Sequence, residues 1–172
     1  TVAGGFDTIW QLLWGPDGSL WVSERPGFIS RVDPRSGSIE RVGELAVAEI
    51  GEGGLMGLAL HPDFPAQPYV YAVHTYQGPA GLRNQLVRLR YRSGLVQPYD
   101  TLVADIPGAS IHNGARVVVG PDRLLYVTTG DAANTAFAQS RTSLAGKILR
   151  LTLEGRPAPG NPFGDAIYSS GH

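Results

Sequence analysis

Apolar residues along this chain fall in short runs broken by glycine, proline and aspartate, and no stretch keeps a helical spacing over several turns. Phe28-Ile29-Ser30-Arg31-Val32 and Ser38-Ile39-Glu40-Arg41-Val42 alternate in polarity on either side of Asp33-Pro34-Arg35-Ser36-Gly37, which predicts a hairpin. Lys147-Ile148-Leu149-Arg150-Leu151-Thr152 followed by Leu153-Glu154-Gly155 has the same strand-then-turn form. Thr135 to Leu144 has room for a short turn or helix. The pattern predicts an all-β chain.

A repeat organises these strands. Gly15-Pro16-Asp17-Gly18-Ser19-Leu20-Trp21-Val22 returns as Gly120-Pro121-Asp122-Arg123-Leu124-Leu125-Tyr126-Val127. A looser copy runs from His61-Pro62-Asp63-Phe64 into Pro68-Tyr69-Val70-Tyr71-Ala72. Proline sets φ for the first corner of a turn, aspartate bonds back to the backbone, and the aromatic and β-branched residues that follow suit a strand. A period of roughly 40–50 residues holding about four short strands is the signature of propeller blades, with a β-sandwich as the alternative. Propellers close with typically four to eight blades, and three units of this size use up the whole chain. Residues 1–172 therefore read as one partial propeller domain, a half ring.

Composition narrows the function. At 172 residues and 42% hydrophobic content the chain supports one core. Its 23 Gly and 13 Pro are dispersed between apolar runs, as turns between strands require. A net charge of −1 speaks against a nucleic-acid partner, and the absence of cysteine excludes disulfides, thiolate metal sites and cysteine nucleophiles. No run approaches the ~20 apolar residues of a membrane span, and no signal peptide opens the chain.

Few residues are placed to carry chemistry. His112, after the turn-rich Ile106-Pro107-Gly108-Ala109-Ser110 and before Val117-Val118-Val119, stands at a strand entrance, where it is either a base or a loop histidine bonded to backbone. Asp131, at the end of Tyr126-Val127-Thr128-Thr129, either orients that imidazole or opens the next turn. Glu52 lies in the bend Gly51-Glu52-Gly53-Gly54, which admits close approach of a ligand or simply exposes a solvated carboxylate. The bend is no phosphate loop, because the Gly-Lys-Ser/Thr ending and the following helix are missing. His61 reads as structural, His74 is assigned no function, and Glu24-Arg25 reads as an ion pair or a channel contact.

Gly51 to Phe64, His112-Asn113-Gly114-Ala115-Arg116, Gly120-Pro121-Asp122, Thr129-Gly130-Asp131-Ala132 and Ser143 to Arg150 together resemble the soluble quinoprotein glucose/sorbosone dehydrogenases, in particular bacterial aldose sugar dehydrogenases that use pyrroloquinoline quinone (PQQ). The resemblance runs from Trp10 to the last residue. It implies a six-bladed β-propeller of which this chain is the N-terminal half, about three blades, with PQQ and Ca2+ in a central cleft. It implies oxidation of aldose sugars at C1 to lactones, with His112 as the base, Asp131 orienting it, and Glu52 and Gln139 near the cofactor. The implied partners are a small sugar and an electron acceptor, with self-association possible through open strand edges and a periplasmic or secreted location. No metal ligand is assigned within the chain; most calcium ligands belong to the other half. Three positions depart from the family pattern. Ala115 stands where glycine is usual, Ser140 where aspartate is commoner, and Gly171-His172 where the family continues into Arg-Asn-Pro-Gln-Gly. A non-catalytic propeller that binds protein or glycan is the alternative, and a metal-dependent lactonase a third reading.

Overall fold

Twelve strands follow one another through the computed structural model, which describes residues 1–172. The first sheet holds β1 (Ile9–Trp14), β2 (Leu20–Glu24), β3 (Phe28–Val32) and β4 (Ile39–Glu44). The second holds β5 (Leu55–Leu60), β6 (Tyr69–Gly78), β7 (Gly81–Arg92) and β8 (Leu95–Pro107). The third holds β9 (Gly114–Val119), β10 (Leu125–Thr129), β11 (Lys147–Leu151) and β12 (Ile167–Ser170), with one helical turn, α1 (Ala136–Gln139), inserted before β11. Every neighbouring pair is antiparallel and consecutive in sequence, so each sheet is a four-stranded meander, a propeller blade. No helix is long and apolar enough to cross a membrane.

The Pro-Asp repeat occupies the same place in all three blades, the turn from first to second strand. Gly15 N donates to Ser19 O at 2.8 Å, His61 N to Tyr69 O at 3.0 Å and Gly120 N to Leu124 O at 2.9 Å, closing equivalent turns. The repeat also extends further than the turn. In each blade an aromatic residue of the second strand faces an arginine of the third: Trp21 opposite Arg31, Tyr71 opposite Arg88, Tyr126 opposite Arg150. In the outer two blades the turn aspartate completes the group. Asp17 accepts from Trp21 Nε1 at 3.2 Å and pairs with Arg31 at 2.9 Å; Asp122 accepts from Tyr126 Oη at 2.8 Å and pairs with Arg150 at 3.0 Å.

Period-two alternation explains how the blades stack. Val70, Ala72, Val87 and Leu89 of the middle blade face the first blade's Trp21, Ile29 and Val42, while Tyr71, Val73 and Leu86 face Val117, Val127 and Leu149 of the third. The middle blade is thus apolar on both faces, which is why β5 and the first half of β6 read as near-continuous hydrophobic runs. The first strands lie side by side along the inner edge. Gln11 of β1 donates from Nε2 to Leu58 O at 2.8 Å and accepts from Leu58 N at 3.1 Å. Gly57 of β5 sits so close to β9 that an added Cβ would stand 2.0 Å from Ala115 O. The first and third blades each meet a neighbour on one side only.

Candidate functional site

Three loops meet at one end of the inner strands: the bend before β5, the β8–β9 loop, and the turn after β10. Antiparallel pairing brings them together, since Thr129 at the end of β10 lies opposite Gly114 at the start of β9. The backbone then laces them. Glu52 N donates to Ser110 O at 2.6 Å, Gly130 N to Asn113 O at 3.1 Å and Ala132 N to His112 O at 3.1 Å. Several residues here hold backbone angles that L-amino acids avoid: His112 (φ +59°), Ala115 (+80°), Ala132 (+53°) and Ala133 (+59°). Such conformations cost on the order of 1–2 kcal/mol each and concentrate where a site is over-determined by its surroundings. Ala115 thus holds an angle that glycine adopts more readily.

His112 and Asp131 come together. Imidazole Nδ1 lies 3.0 Å from Asp131 Oδ1, which also accepts from Ala133 N at 3.0 Å. A carboxylate only accepts, so the shared proton belongs to Nδ1 and the lone pair to Nε2. No protein group bonds Nε2, and the imidazole is 57% exposed while the Asp131 side chain is 16% exposed. The aspartate is therefore anchored and the imidazole presents a fixed tautomer to the open end of the blades.

Glu52 faces the same loop from the other side, and its Oε2 accepts the His112 backbone N–H at 2.7 Å. It also lines a pocket of about 420 Å³ with Trp10, Arg25, Met56, Asn113 and Gly114. Arg25 corrects one expectation. It makes no ion pair with Glu24; its guanidinium donates to Gly53 O at 3.1 Å and to Gly51 O, shaping the bend that carries Glu52. Glu24 points the other way, buried, accepting from Asp7 N at 2.7 Å. β2 ends at Glu24 and Arg25 opens the following turn, so the chain direction changes between these two charges.

Gln139 ends α1 and is exposed beside Gly171, outside the lining of the Glu52 pocket. His61 is buried, its Nδ1 accepting from Asp63 N at 3.1 Å, and His74 lies in β6 between Thr75 O and Gln85.

Two buried groups were not foreseen. Lys147 is fully buried with no carboxylate partner; its ammonium donates to Phe137 O (2.6 Å), Ala145 O (2.8 Å) and Ala138 O (3.0 Å), tying α1 to the start of β11. Burial pulls its pKa below the ordinary lysine value. A row of polar side chains also runs beneath the site. Thr75 Oγ1 donates to Asn84 Oδ1 at 2.8 Å, Asn84 Nδ2 to Asn113 Oδ1 at 2.9 Å, and Asn113 Nδ2 to Ala109 O at 2.8 Å. Only Asn113 had a sequence signal, its place beside His112.

Residues 6–172 match the glucose/sorbosone dehydrogenase family model. Quinoprotein glucose dehydrogenase B of Acinetobacter calcoaceticus is 34% identical over 197 residues, covering 94% of this chain and 41% of that protein. The PQQ-bound aldose sugar dehydrogenase of Streptomyces coelicolor superposes with a TM-score of 0.94 at 43% identity, over 100% of this chain and 53% of that one. A Thermus thermophilus oxidoreductase described as a glucose dehydrogenase gives 0.92 at 47% identity, over 99% and 54%. The chain spans about half the length of the relatives it matches, and its three blades are half of a six-bladed β-propeller. With the family match running over nearly every residue and the fold match over all of them, the chain belongs to the glucose/sorbosone dehydrogenase family.

Proposed function

We propose that this chain is the N-terminal half of a PQQ-dependent dehydrogenase that oxidises aldose sugars at C1 to lactones. The observation that carries the reading is the His112–Asp131 pair, with Nδ1 tied at 3.0 Å and Nε2 free of any protein partner, on a loop whose Asn113 lines the pocket with Glu52.

The pocket suits half of a planar, anionic quinone. The Trp10 ring and Met56 thioether offer apolar faces, Arg25 offers positive charge, and Gly114 leaves the wall without a side chain. Glu52 and, by resemblance, Gln139 would hold the group, which when bound supplies the acceptor for the hydride leaving C1. His112 Nε2 takes the proton of the anomeric hydroxyl, and the C1–O double bond of the lactone forms as that proton and the hydride depart. Asp131 keeps Nδ1 protonated and stabilises the imidazolium that results. No three His, Asp or Glu side chains of this chain are grouped to hold a metal, so Ca2+ enters the proposal by resemblance alone. A periplasmic or secreted location and a separate electron acceptor belong to the same proposal.

The test is to add PQQ, Ca2+ and a dye acceptor to the full-length protein and follow aldose oxidation. His112→Ala should lower the rate by the 10²–10⁴ typical of general-base catalysis, roughly, while PQQ still binds. An unchanged rate removes His112 from the mechanism. No PQQ-dependent absorbance change supports the non-catalytic binding module instead. Residues 1–172 alone are expected to show no turnover, because two blade faces and their strand edges then stay uncovered.

A further inference from the structure

The buried row Thr75–Asn84–Asn113 has only one possible polarity. Asn113 Oδ1 accepts from Ala109 N at 3.2 Å while its Nδ2 donates to Ala109 O at 2.8 Å, so the backbone dictates which way that amide faces. Asn84 must then offer Nδ2 to Asn113 Oδ1, which turns its own Oδ1 toward Thr75. Thr75 donates to it, and its hydroxyl is left to accept from Gly54 N at 3.2 Å. The three side chains are buried, and every bond between two fixed stretches of backbone has an assigned direction.

Those two stretches are the ones that matter. Gly54 belongs to the bend carrying Glu52, and Ala109 and Asn113 belong to the loop carrying His112. The Asn113 carbonyl also receives Gly130 N at 3.1 Å, next to Asp131. From this geometry we infer that Asn84, which lines no part of the pocket, is a positioning residue: through Asn113 it sets the place and tautomer-fixing contact of the His112 imidazole. The inference rests on the reading of His112 as the base. Asn84 acts through a bond whose loss lets the β8–β9 loop shift relative to Asp131.

Asn84→Asp is the discriminating variant. It preserves size and the acceptor for Thr75 and, assayed at a pH at which the new carboxyl is ionised, replaces the donor facing Asn113 Oδ1 with a second oxygen, since a protonated carboxyl there would restore the donor. In the full-length protein with PQQ, Ca2+ and dye, kcat should fall about tenfold, the effect of misaligning one hydrogen bond, with the sugar KM within about twofold. In the cofactor-free protein, the low-field imidazole Nδ1–H resonance of His112 should broaden or vanish. Thr75→Val, which cuts the row at its other end, should move both readouts the same way and serves if Asn84→Asp does not fold. Val87→Ala is the control, since it loosens β7 in the apolar core without touching the row. Unchanged kcat and an unchanged His112 resonance in Asn84→Asp overturn the inference, as does an equal loss in Val87→Ala. If the unsubstituted protein oxidises no aldose, the dehydrogenase reading fails, and the resonance still decides whether Asn84 places His112.

Discussion

The backbone N–H of His112 donates to a Glu52 carboxylate oxygen at 2.7 Å, so an acidic side chain from one blade fixes the conformation of the imidazole-bearing residue in the next loop. His112 is left-handed at φ +59°, a state worth roughly 1–2 kcal/mol of strain, and a charge-assisted bond of ~1.5–3 kcal/mol is enough to hold it there. Glu52→Ala should therefore raise amide exchange at His112 by about tenfold or more. Glu52→Gln, which keeps an acceptor oxygen, should stay within a few-fold of the parent. Equal exchange in Ala and Gln variants would show that the loop is held by other contacts.

Asp131→Asn tests the tautomer separately from position. The amide has nearly the same shape, but its NH2 group can face Nδ1 and move the imidazole proton to Nε2, where it blocks proton uptake. The expected loss in kcat is on the order of 10²–10⁴, at the upper end close to removing the imidazole itself. Asp131→Glu should retain more activity than Asp131→Asn if accepting the Nδ1 proton is what matters. The reverse order would contradict the assignment.

The turns and the His–Asp pair were legible in the sequence because each rests on local chemistry. Pro16-Asp17-Gly18 and Pro121-Asp122-Arg123 specify a turn wherever they occur, and His112 and Asp131 flank a single hairpin whose register brings Thr129 opposite Gly114. The aromatic–arginine pairs were not legible, although they too repeat. Trp21 meets Arg31, Tyr71 meets Arg88 and Tyr126 meets Arg150 across second hairpins of different length, so no fixed spacing announces them. Asn84 and Thr75 were invisible for a stronger reason. They sit on β7 and β6, inside runs that read as ordinary strand, and their purpose lies in a loop that only the fold brings near.

The turn aspartates should differ in value despite their shared motif. Asp17 is 14% exposed at its side chain and serves both Trp21 Nε1 and Arg31, whereas Asp63 is 47% exposed and meets only the exposed Arg123 and the edge of His61. Removing Asp17 leaves a buried indole N–H and a packed guanidinium short of a partner, at a cost of about 1–3 kcal/mol. Removing Asp63 breaks an exposed ion pair worth less than about 1 kcal/mol. Urea unfolding of Asp17→Ala and Asp63→Ala should show that order, and a larger loss for Asp63→Ala would mean the middle blade's copy of the repeat is structurally dominant.

His74 gives the fold a pH dependence with a definite sign. Thr75 O can only accept, so Nδ1, 3.3 Å away, carries the proton; Nε2, 2.9 Å from Gln85 Nε2, accepts. Both nitrogens are thus satisfied in the neutral ring, and burial holds its pKa below the ordinary 6.5. Between that lowered value and 6.5 the unfolded chain binds the proton that the folded chain refuses. Stability contributed by neutral His74 is therefore complete above about pH 6.5 and declines as the pH falls toward the folded-state pKa, by at most ~1.4 kcal/mol per pH unit. His61, also lowered by burial, adds in the same direction, opposed in part by the Asp63 carboxylate. Thermal unfolding from pH 7.5 to 5 should show a Tm falling with acidity, and His74→Gln should flatten that slope. A variant that keeps the full slope would place the acid sensitivity elsewhere.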